Sequence, residues 1–164
     1  MTHNDVLRSI RYLLNISDAA LVDIIRLGDL EVSRGEIFAF LKREDEAGYQ
    51  ACGDRVMAHF LNGLVTYKRG KDEGRAPQPV EVPVTNNSVL KKLRAAFELK
   101  DGDIIALLDK TGLRVSKTEL SAFFRRPDHR NYRDCGDQFL RHFLRGLHAA
   151  RYVAPVAGDQ GGAS

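Results

Sequence analysis

CGDRVMAHFLNGL, residues Cys52–Leu64, and CGDQFLRHFLRGL, residues Cys135–Leu147, are two versions of one segment. The similarity extends outward without a gap: residues 4–69 align with residues 87–152 at a constant shift of 83 positions. About a third of the aligned residues are identical. Such self-similarity indicates a repeated structural unit. Each copy is close to the lower size limit for a self-sufficient core, so we expect the two copies to pack together.

Hydrophobic periodicity predicts four helices in each copy. The first begins at Asn4 or Asn87, residues whose side chains suit the N-cap position. The second ends near Gly28 or Gly112, where glycine can adopt the left-handed conformation. The third opens with a capping box, in which a serine and a glutamate three residues later bond each other's backbone amides. These boxes are Ser33 with Glu36 and Ser116 with Glu119.

The fourth and longest helix covers roughly residues 54–68 in the first copy and 137–151 in the second. Gly63 and Gly146 fall inside it at equivalent positions. A glycine within a helix costs about 1 kcal/mol relative to alanine. Its presence in both copies predicts a close approach of another helix at that point.

These patterns predict an all-α fold of two tandem four-helix repeats, packed with approximate two-fold symmetry. Repeat 1 covers residues 1–69, and repeat 2 covers residues 87–152. Residues 70–86 contain three prolines and read as a semi-extended linker. Residues 153–164 are small and glycine-rich and read as a flexible tail.

Charge is distributed unevenly between the two copies. Residues 1–86 contain 11 lysines and arginines against 13 acidic residues, and residues 87–153 contain 14 against 8. The second copy therefore carries a formal charge of +6, whereas the whole chain carries +3. An asymmetry of this kind points to a polyanionic partner for the basic half.

Several classes of protein are disfavoured by the sequence. No apolar run approaches the roughly 20 residues that span a bilayer, and the N-terminus does not read as a signal peptide. Two cysteines, one in each copy, do not form a disulfide framework. We therefore expect a cytoplasmic protein with reduced thiols and no membrane partner. Motifs for metal ligation, phosphate loops or nucleophile elbows are absent from the sequence, so no metal and no cofactor are expected.

The segments Asn4–Tyr12, Val89–Arg94 and Cys135–Arg141 resemble the YehS-like family, and the resemblance covers almost the whole chain. That family consists of small bacterial proteins with two copies of a domain of unknown function. The resemblance implies a duplicated helical fold and a bacterial cytoplasmic origin. It supplies no established activity, substrate or catalytic residue.

A helix-turn-helix interpretation applies to the second and third helices of each copy. In the second copy the third helix would enter a DNA groove, with Lys117, Arg125 and Arg126 on or near its exposed face. The connection between the helices is longer than the tight turn of that motif. The alternative, which we favour, is an ordinary helical hairpin with solvated cations.

A basic stripe is predicted on the fourth helix of repeat 2. Gln138, Arg141, Arg145 and His148 share one face, and Arg151 extends the charge. Repeat 1 has Arg55, Ala58, Asn62 and Val65 at these positions, and we expect its less charged face to pack against the sister repeat. Phosphate contacts from the stripe would give salt-sensitive binding without sequence preference. A solvated helix face is an equally good interpretation.

A repeated polar set precedes and enters the fourth helix in both copies. Its members are Arg43, Asp45, Tyr49, Cys52, Asp54 and His59, and then Arg126, Asp128, Tyr132, Cys135, Asp137 and His142. One interpretation of the set is a Cys/His nucleophilic pair. Loop tying with a buried cysteine explains the duplication better, because an active site is needed only once.

We therefore predict a binding module that is not an enzyme, with DNA or RNA as the leading partner of repeat 2. The alternative is a protein-interaction or self-associating module that uses an apolar groove between the repeats. A thiol-dependent enzyme at Cys52 or Cys135 is a third and weaker hypothesis. What the copies share is interpreted as scaffold, and what they do not share is where function is expected.

Overall fold

The computed structural model describes residues 1–71, 74 and 78–150, and over these ranges the chain forms eight α-helices and no strand. Repeat 1 contains α1 (His3–Leu14), α2 (Asp18–Leu27), α3 (Arg34–Leu41) and α4 (Asp54–Arg69). Repeat 2 contains α5 (Asn86–Ala96), α6 (Asp101–Lys110), α7 (Lys117–Phe123) and α8 (Asp137–Ala149). The predicted all-α fold of two four-helix repeats is confirmed.

Local sequence explains where α3 and α7 begin. Ser33 Oγ accepts from the amide of Glu36 at 3.0 Å, and the Glu36 carboxylate accepts from the amide of Ser33 at 3.1 Å. Ser116 and Glu119 make the same reciprocal pair at 3.0 and 3.4 Å. Both predicted capping boxes are confirmed, and each supplies partners for amides that a helix start leaves unpaired.

The N-cap prediction for Asn4 and Asn87 is wrong. Thr2 and Thr85 cap α1 and α5, and the asparagines lie inside these helices with buried side chains. Asn4 Nδ2 donates to two carbonyl oxygens at 2.9 Å, and its Oδ1 accepts from the amide of Cys52 at 3.0 Å. Asn87 makes the same three bonds in repeat 2. Each asparagine therefore ties its first helix to the end of the third helix and to the loop before the fourth. In both repeats the three partners are equivalent: Phe40, Gln50 and Cys52, then Phe123, Arg133 and Cys135.

The predicted close approach at the helical glycines is confirmed. A Cβ atom placed on Gly63 would lie 1.8 Å from the carbonyl oxygen of Ile24, and one placed on Gly28 would lie 1.8 Å from that of His59. The backbones of α2 and α4 therefore touch directly. The corresponding approach in repeat 2 is looser, because a Cβ on Gly146 would lie 2.6 Å from the oxygen of Leu107.

The left-handed C-terminal conformation is confirmed for Gly112, whose φ is +85°, but not for Gly28, whose φ is −87°. In repeat 1 the left-handed residue is Asp29, with φ +69°. At the 83-residue shift Asp29 is the counterpart of Gly112, and Gly28 is the counterpart of Thr111. Gly28 is thus explained by the contact with α4 and not by the end of α2.

One continuous hydrophobic core includes residues of both repeats. α4 packs along α5 across the boundary, and α8 touches α1 more lightly. Exchanging the two repeats converts the first of these pairs into the second. The two repeats are therefore related by approximate two-fold symmetry, and the contact between α4 and α5 is more extensive than the contact between α8 and α1.

A reciprocal contact joins the repeats at the starts of α4 and α8. Asp54 accepts from His3 Nε2 of its own repeat at 2.7 Å and from the Val84 amide at the start of repeat 2 at 3.2 Å. Asp137 accepts from Asn86 Nδ2 of its own repeat at 2.8 Å and from the Met1 ammonium at 2.5 Å. Position 84 is the counterpart of position 1 at the 83-residue shift. In each direction, the residue that precedes the first helix of one repeat donates to the aspartate at the start of the fourth helix of the other.

The linker interpretation covers residues 70–86, of which 72, 73 and 75–77 lie outside the described residues, as does the predicted tail at 153–164. Residues 78–82 are exposed, Val84 is buried, and α5 already begins at Asn86. Asn62 Nδ2 donates to the carbonyl oxygen of Pro79 at 3.2 Å. The end of the linker therefore lies against α4.

Candidate functional site

The hairpin proposed as helix-turn-helix-like consists of α6 and α7, joined by residues 111–116. Six connecting residues exceed the three to four of the DNA-binding motif. α7 has only seven residues, and Lys117, Thr118 and Glu119 are exposed on it. The exposed face of α7 does not protrude freely, because the loop that follows it runs alongside.

A cleft of about 790 Å³ lies between α7 and this loop, and we call it the α7 cleft. One wall comes from α7 and the residues just after it: Lys117, Thr118, Glu119, Ser121, Ala122 and Arg125. The opposite wall comes from the loop: Arg130, Asn131, Tyr132 and Arg133. Two hydrogen bonds hold the loop in place: the Arg133 amide donates to the Ala122 carbonyl at 3.2 Å, and the Asn87 side chain donates from Nδ2 to the Arg133 carbonyl at 2.9 Å.

The cations of the α7 cleft are exposed, and most of them have no internal partner. Within the part of the chain that the structure describes, the side chains of Lys117, Arg130 and Arg133 make no hydrogen bond or ion pair. Arg125 approaches His129 Nε2 at 3.4 Å. The one carboxylate among the lining residues, Glu119, already accepts from its capping-box partner. The cleft is therefore a cationic recess whose charges are available to a ligand.

Tyr132 contributes the aromatic side chain of the loop wall. It is half-buried, and its amide donates to the His129 carbonyl at 2.9 Å. Burial, and then the hydrogen bond with the neighbouring Asp134 carboxylate, raises the pKa of the Tyr132 hydroxyl. Tyr132 is therefore a neutral, positioned ring at neutral pH.

The same place in repeat 1 is filled differently. Lys42, the counterpart of Arg125, donates from Nζ to the Ala47 carbonyl at 2.6 Å and lies over the Phe38 ring at 5.0 Å from its centroid. Ala47 and Gly48 stand where repeat 2 has Arg130 and Asn131. The lysine thus bridges the space that the cleft leaves open in repeat 2.

The basic stripe on α8 is exposed as predicted, but it lies away from the α7 cleft. α7 packs on α8 through Phe123 and Phe139, whose ring centroids are 4.7 Å apart. An α-helix turns by about 100° for each residue, so the side chains of Phe139 and Arg141 point about 160° apart around the axis of α8. The predicted cations therefore form two groups: Lys117 and Arg125 in the cleft, and Arg141, Arg145 and His148 on the stripe.

The stripe reaches the boundary between the repeats. The His148 ring packs on the exposed ring of Tyr12 in α1, with centroids 4.5 Å apart. The matching face of α4 is covered instead: Ala58, Asn62 and Val65 are buried, α4 packs against α5, and Asn62 donates to the linker carbonyl of Pro79. The expectation that this face of repeat 1 packs against the sister repeat is confirmed.

Two further predicted residues lie outside both groups. Arg126 is exposed and pairs loosely with Asp128 at 3.4 Å, as loop tying in repeat 2 requires. Arg151 lies outside the described residues. Arg130 and Arg133 were missed by sequence reasoning, although the segment RRPDHRNYR at residues 125–133 has the densest positive charge in the chain.

The cysteines support the structural interpretation of the repeated polar set. Cys52 and Cys135 are buried, and burial together with the neighbouring Asp54 or Asp137 raises the pKa of each thiol to about 12. Each thiol is therefore protonated at neutral pH, and a protonated thiol is a poor nucleophile. In the described ranges, no three histidine, cysteine or carboxylate side chains converge as a metal site would need.

Comparison with known proteins agrees with this architecture. The family described as "Protein of unknown function (DUF1456)" matches residues 3–70 and 86–151, one match for each repeat. The chain belongs to this family.

A relative of known sequence extends the comparison over nearly the full length. The chain is 51% identical over 153 residues to "Uncharacterized protein YehS" of Escherichia coli (strain K12), which covers 93% of this chain and 98% of the relative. The resemblance to the YehS-like family is thereby confirmed. No solved structure matches the chain. Among the described helices, none has the length and apolar character needed to span a bilayer.

Proposed function

We propose that the protein binds nucleic acid through repeat 2, with the α7 cleft as the primary contact surface. The observation that carries this proposal is the set of four cations around one recess, three of them without a partner in the described residues. A folded protein gains little by concentrating like charges that repel one another. A bound polyanion offsets that repulsion.

Comparison of the repeats supports a ligand for this cleft. Both repeats contain the scaffold that holds the cleft, including the buried hydrogen bonds of Asn4 or Asn87 and the capping box of the third helix. Two of the four cations have charged counterparts in repeat 1, since Arg34 and Lys42 correspond to Lys117 and Arg125. Ala47 and Gln50 stand where repeat 2 has Arg130 and Arg133. Fold stability does not require the two loop arginines, because the same scaffold forms without them.

The role we propose is binding without catalysis. Both thiols of the chain are buried and protonated, and Glu119, the one carboxylate that lines the α7 cleft, already accepts from the Ser116 amide. The other polar side chains of the cleft are guanidinium, ammonium, amide and hydroxyl groups, which hold phosphates and bases. The stripe on α8 would add non-specific phosphate contacts at a second face.

Salt dependence tests the proposal. Fluorescence anisotropy with labelled oligonucleotides should give a logarithmic slope of affinity against salt of about −3, because about 0.7 counterions are released for each of four phosphate contacts to a single strand. The variant R125A/R130A/R133A should lower both the affinity and the slope, leaving a slope near −1.

Two matched variants show which surface is responsible. R34A/R55A removes exposed cations from repeat 1, where Arg34 is the counterpart of Lys117, and should leave binding nearly unchanged. R141A/R145A tests the α8 stripe alone. Loss of binding only in the stripe variant would refute the assignment to the cleft, and immeasurable binding of the unaltered protein at low salt would refute the function.

A protein-interaction role is the second candidate, and it rests on a different observation. Tyr12 and Phe38 are 68% and 57% exposed and line one 410 Å³ groove on repeat 1. The groove lies between α1 and α3 and not between the repeats. Sedimentation velocity over a range of concentrations tests self-association. The variant Y12A/F38S, which installs the residues of repeat 2 at both positions, should abolish any association that uses this groove.

A further inference from the structure

We infer that the α7 cleft accepts a single strand of nucleic acid and not a duplex, with a base stacked on Tyr132. This inference rests on the proposed function and names the ligand class for the same cleft. It departs from the helix-turn-helix interpretation, in which α7 would enter the major groove of DNA.

The shape of the site argues against major-groove docking. A recognition helix must protrude, since the major groove of DNA is about 12 Å wide and surrounds the helix on both sides. α7 has seven residues and is therefore only about 10 Å long. The wall formed by Arg130–Arg133 stands beside its exposed face, at the place that a DNA backbone would need. The loop is held there by the hydrogen bonds of Arg133 to the Ala122 backbone and the Asn87 side chain, at 3.2 and 2.9 Å.

The chemistry of the two walls suits an unpaired strand. Single-strand sites combine a cationic groove that follows the phosphates with aromatic rings on which bases stack. Lys117 and Arg125 supply charge on the α7 wall, and Arg130 and Arg133 supply it on the loop wall. Tyr132 lies between the two loop arginines in the chain. Asn131 and Ser121 add amide and hydroxyl groups that can bond the edge of an unpaired base.

The cleft of repeat 1 shows the same positions without this function. Tyr49 is the counterpart of Tyr132, but the loop residues beside it, Gly48 and Gln50, carry no positive charge, and Lys42 closes the space by bonding Ala47. The tyrosine alone is therefore part of the scaffold. The aromatic ring becomes a stacking platform only where the cations and the open cleft accompany it.

Three fluorescein-labelled DNA probes test the inference in the full-length protein: a 12-nucleotide oligo(dT), an abasic 12-mer of the same charge, and a hairpin with a 12-base-pair stem. We expect oligo(dT) to bind at least tenfold more tightly than the hairpin at equal salt. The abasic strand should bind about tenfold more weakly than oligo(dT), because it keeps the phosphates and loses the stacked bases. Y132F should match the unaltered protein, and Y132A should bind oligo(dT) no better than the abasic strand.

Each outcome is informative. A hairpin that binds as tightly as oligo(dT) overturns the single-strand inference and leaves the proposed function intact. Equal binding of the abasic strand and oligo(dT) overturns the stacking role of Tyr132, and it does so without any variant that could unfold. Binding of none of the three probes at low salt overturns the proposed function itself.

Discussion

Replacing Gly63 by alanine should destabilise the protein strongly, although the same change in an ordinary helix is favourable. The added Cβ would lie 1.8 Å from the Ile24 carbonyl oxygen, whereas a normal carbon–oxygen contact is about 3.3 Å or longer. The backbones of α2 and α4 must therefore separate by about 1.5 Å. Overpacking by one carbon costs typically 1–3 kcal/mol, and this clash belongs at or above the upper end. Alanine is about 1 kcal/mol more favourable than glycine within a helix, so the free energy of unfolding should fall by about 2 kcal/mol or more in total.

Repeat 2 supplies the comparison for this prediction. In G146A the new Cβ would lie 2.6 Å from the Leu107 oxygen, so a separation of about 0.7 Å relieves it. The overpacking cost is smaller than in G63A but still exceeds the propensity gain, because the contact is with backbone, so the net loss should be about 1 kcal/mol. A Cβ added to Gly102 in α6 would enter open space, with no neighbouring element within 4 Å, and G102A should stabilise the chain by up to about 1 kcal/mol.

Urea unfolding followed by circular dichroism at 222 nm gives the three free energies. The expected order of stability is G102A, then G146A, then G63A. A G63A protein as stable as the unaltered chain would refute the argument, because it would mean that α2 and α4 do not touch through their backbones. A loss in G146A larger than that in G63A would refute the difference between the repeats.

Three other predictions concern the scaffold. N4A removes three buried hydrogen bonds and leaves their partners unsatisfied, so it should cost about 3 kcal/mol in urea unfolding. Cys52 and Cys135 should resist alkylation by iodoacetamide at pH 7.5 until urea unfolds the chain. Because folding raises the pKa of each thiol from 9.0 to about 12, the free energy of unfolding should fall as the pH rises from 9 towards 12. Folding lowers the pKa of the Asp54 and Asp137 carboxyls below 3.8. Their contribution to stability is therefore present above pH 3.8 and is lost as the pH falls through the pKa values of the folded state. Acid unfolding of D54N/D137N compared with the unaltered chain would show this loss.

The sequence predicts those features that depend on local pattern or on the comparison of copies. Ser33 and Glu36 determine the start of α3 through contacts three residues apart, and such contacts can be read directly from the chain. Gly63 could be predicted because a glycine repeated within a helix needs a packing reason. Asn4 could not be placed, since its partners lie 36 to 48 positions away and its type suits a helix start equally well.

The α7 cleft was only half predictable for a related reason. Lys117 and Arg125 belong to one helical pattern, so the sequence indicates that they share a face. Arg130 and Arg133 come from an irregular loop, and only its backbone bonds to Ala122 and Asn87 bring them opposite α7. Helical periodicity also gave no sign that Arg141 would leave α8 on the far side, because the packing of Phe139 on Phe123 sets that direction.

The contacts of Asp54 and Asp137 connect the two repeats reciprocally. Each carboxylate binds one residue of its own repeat and the leading residue of the other. Contacts that are equivalent in both directions define the isologous interface of a two-fold dimer. The two repeats therefore meet within one chain as the subunits of such a dimer would meet. They differ in charge, since residues 1–86 carry a formal charge of −2 and residues 87–153 carry +6.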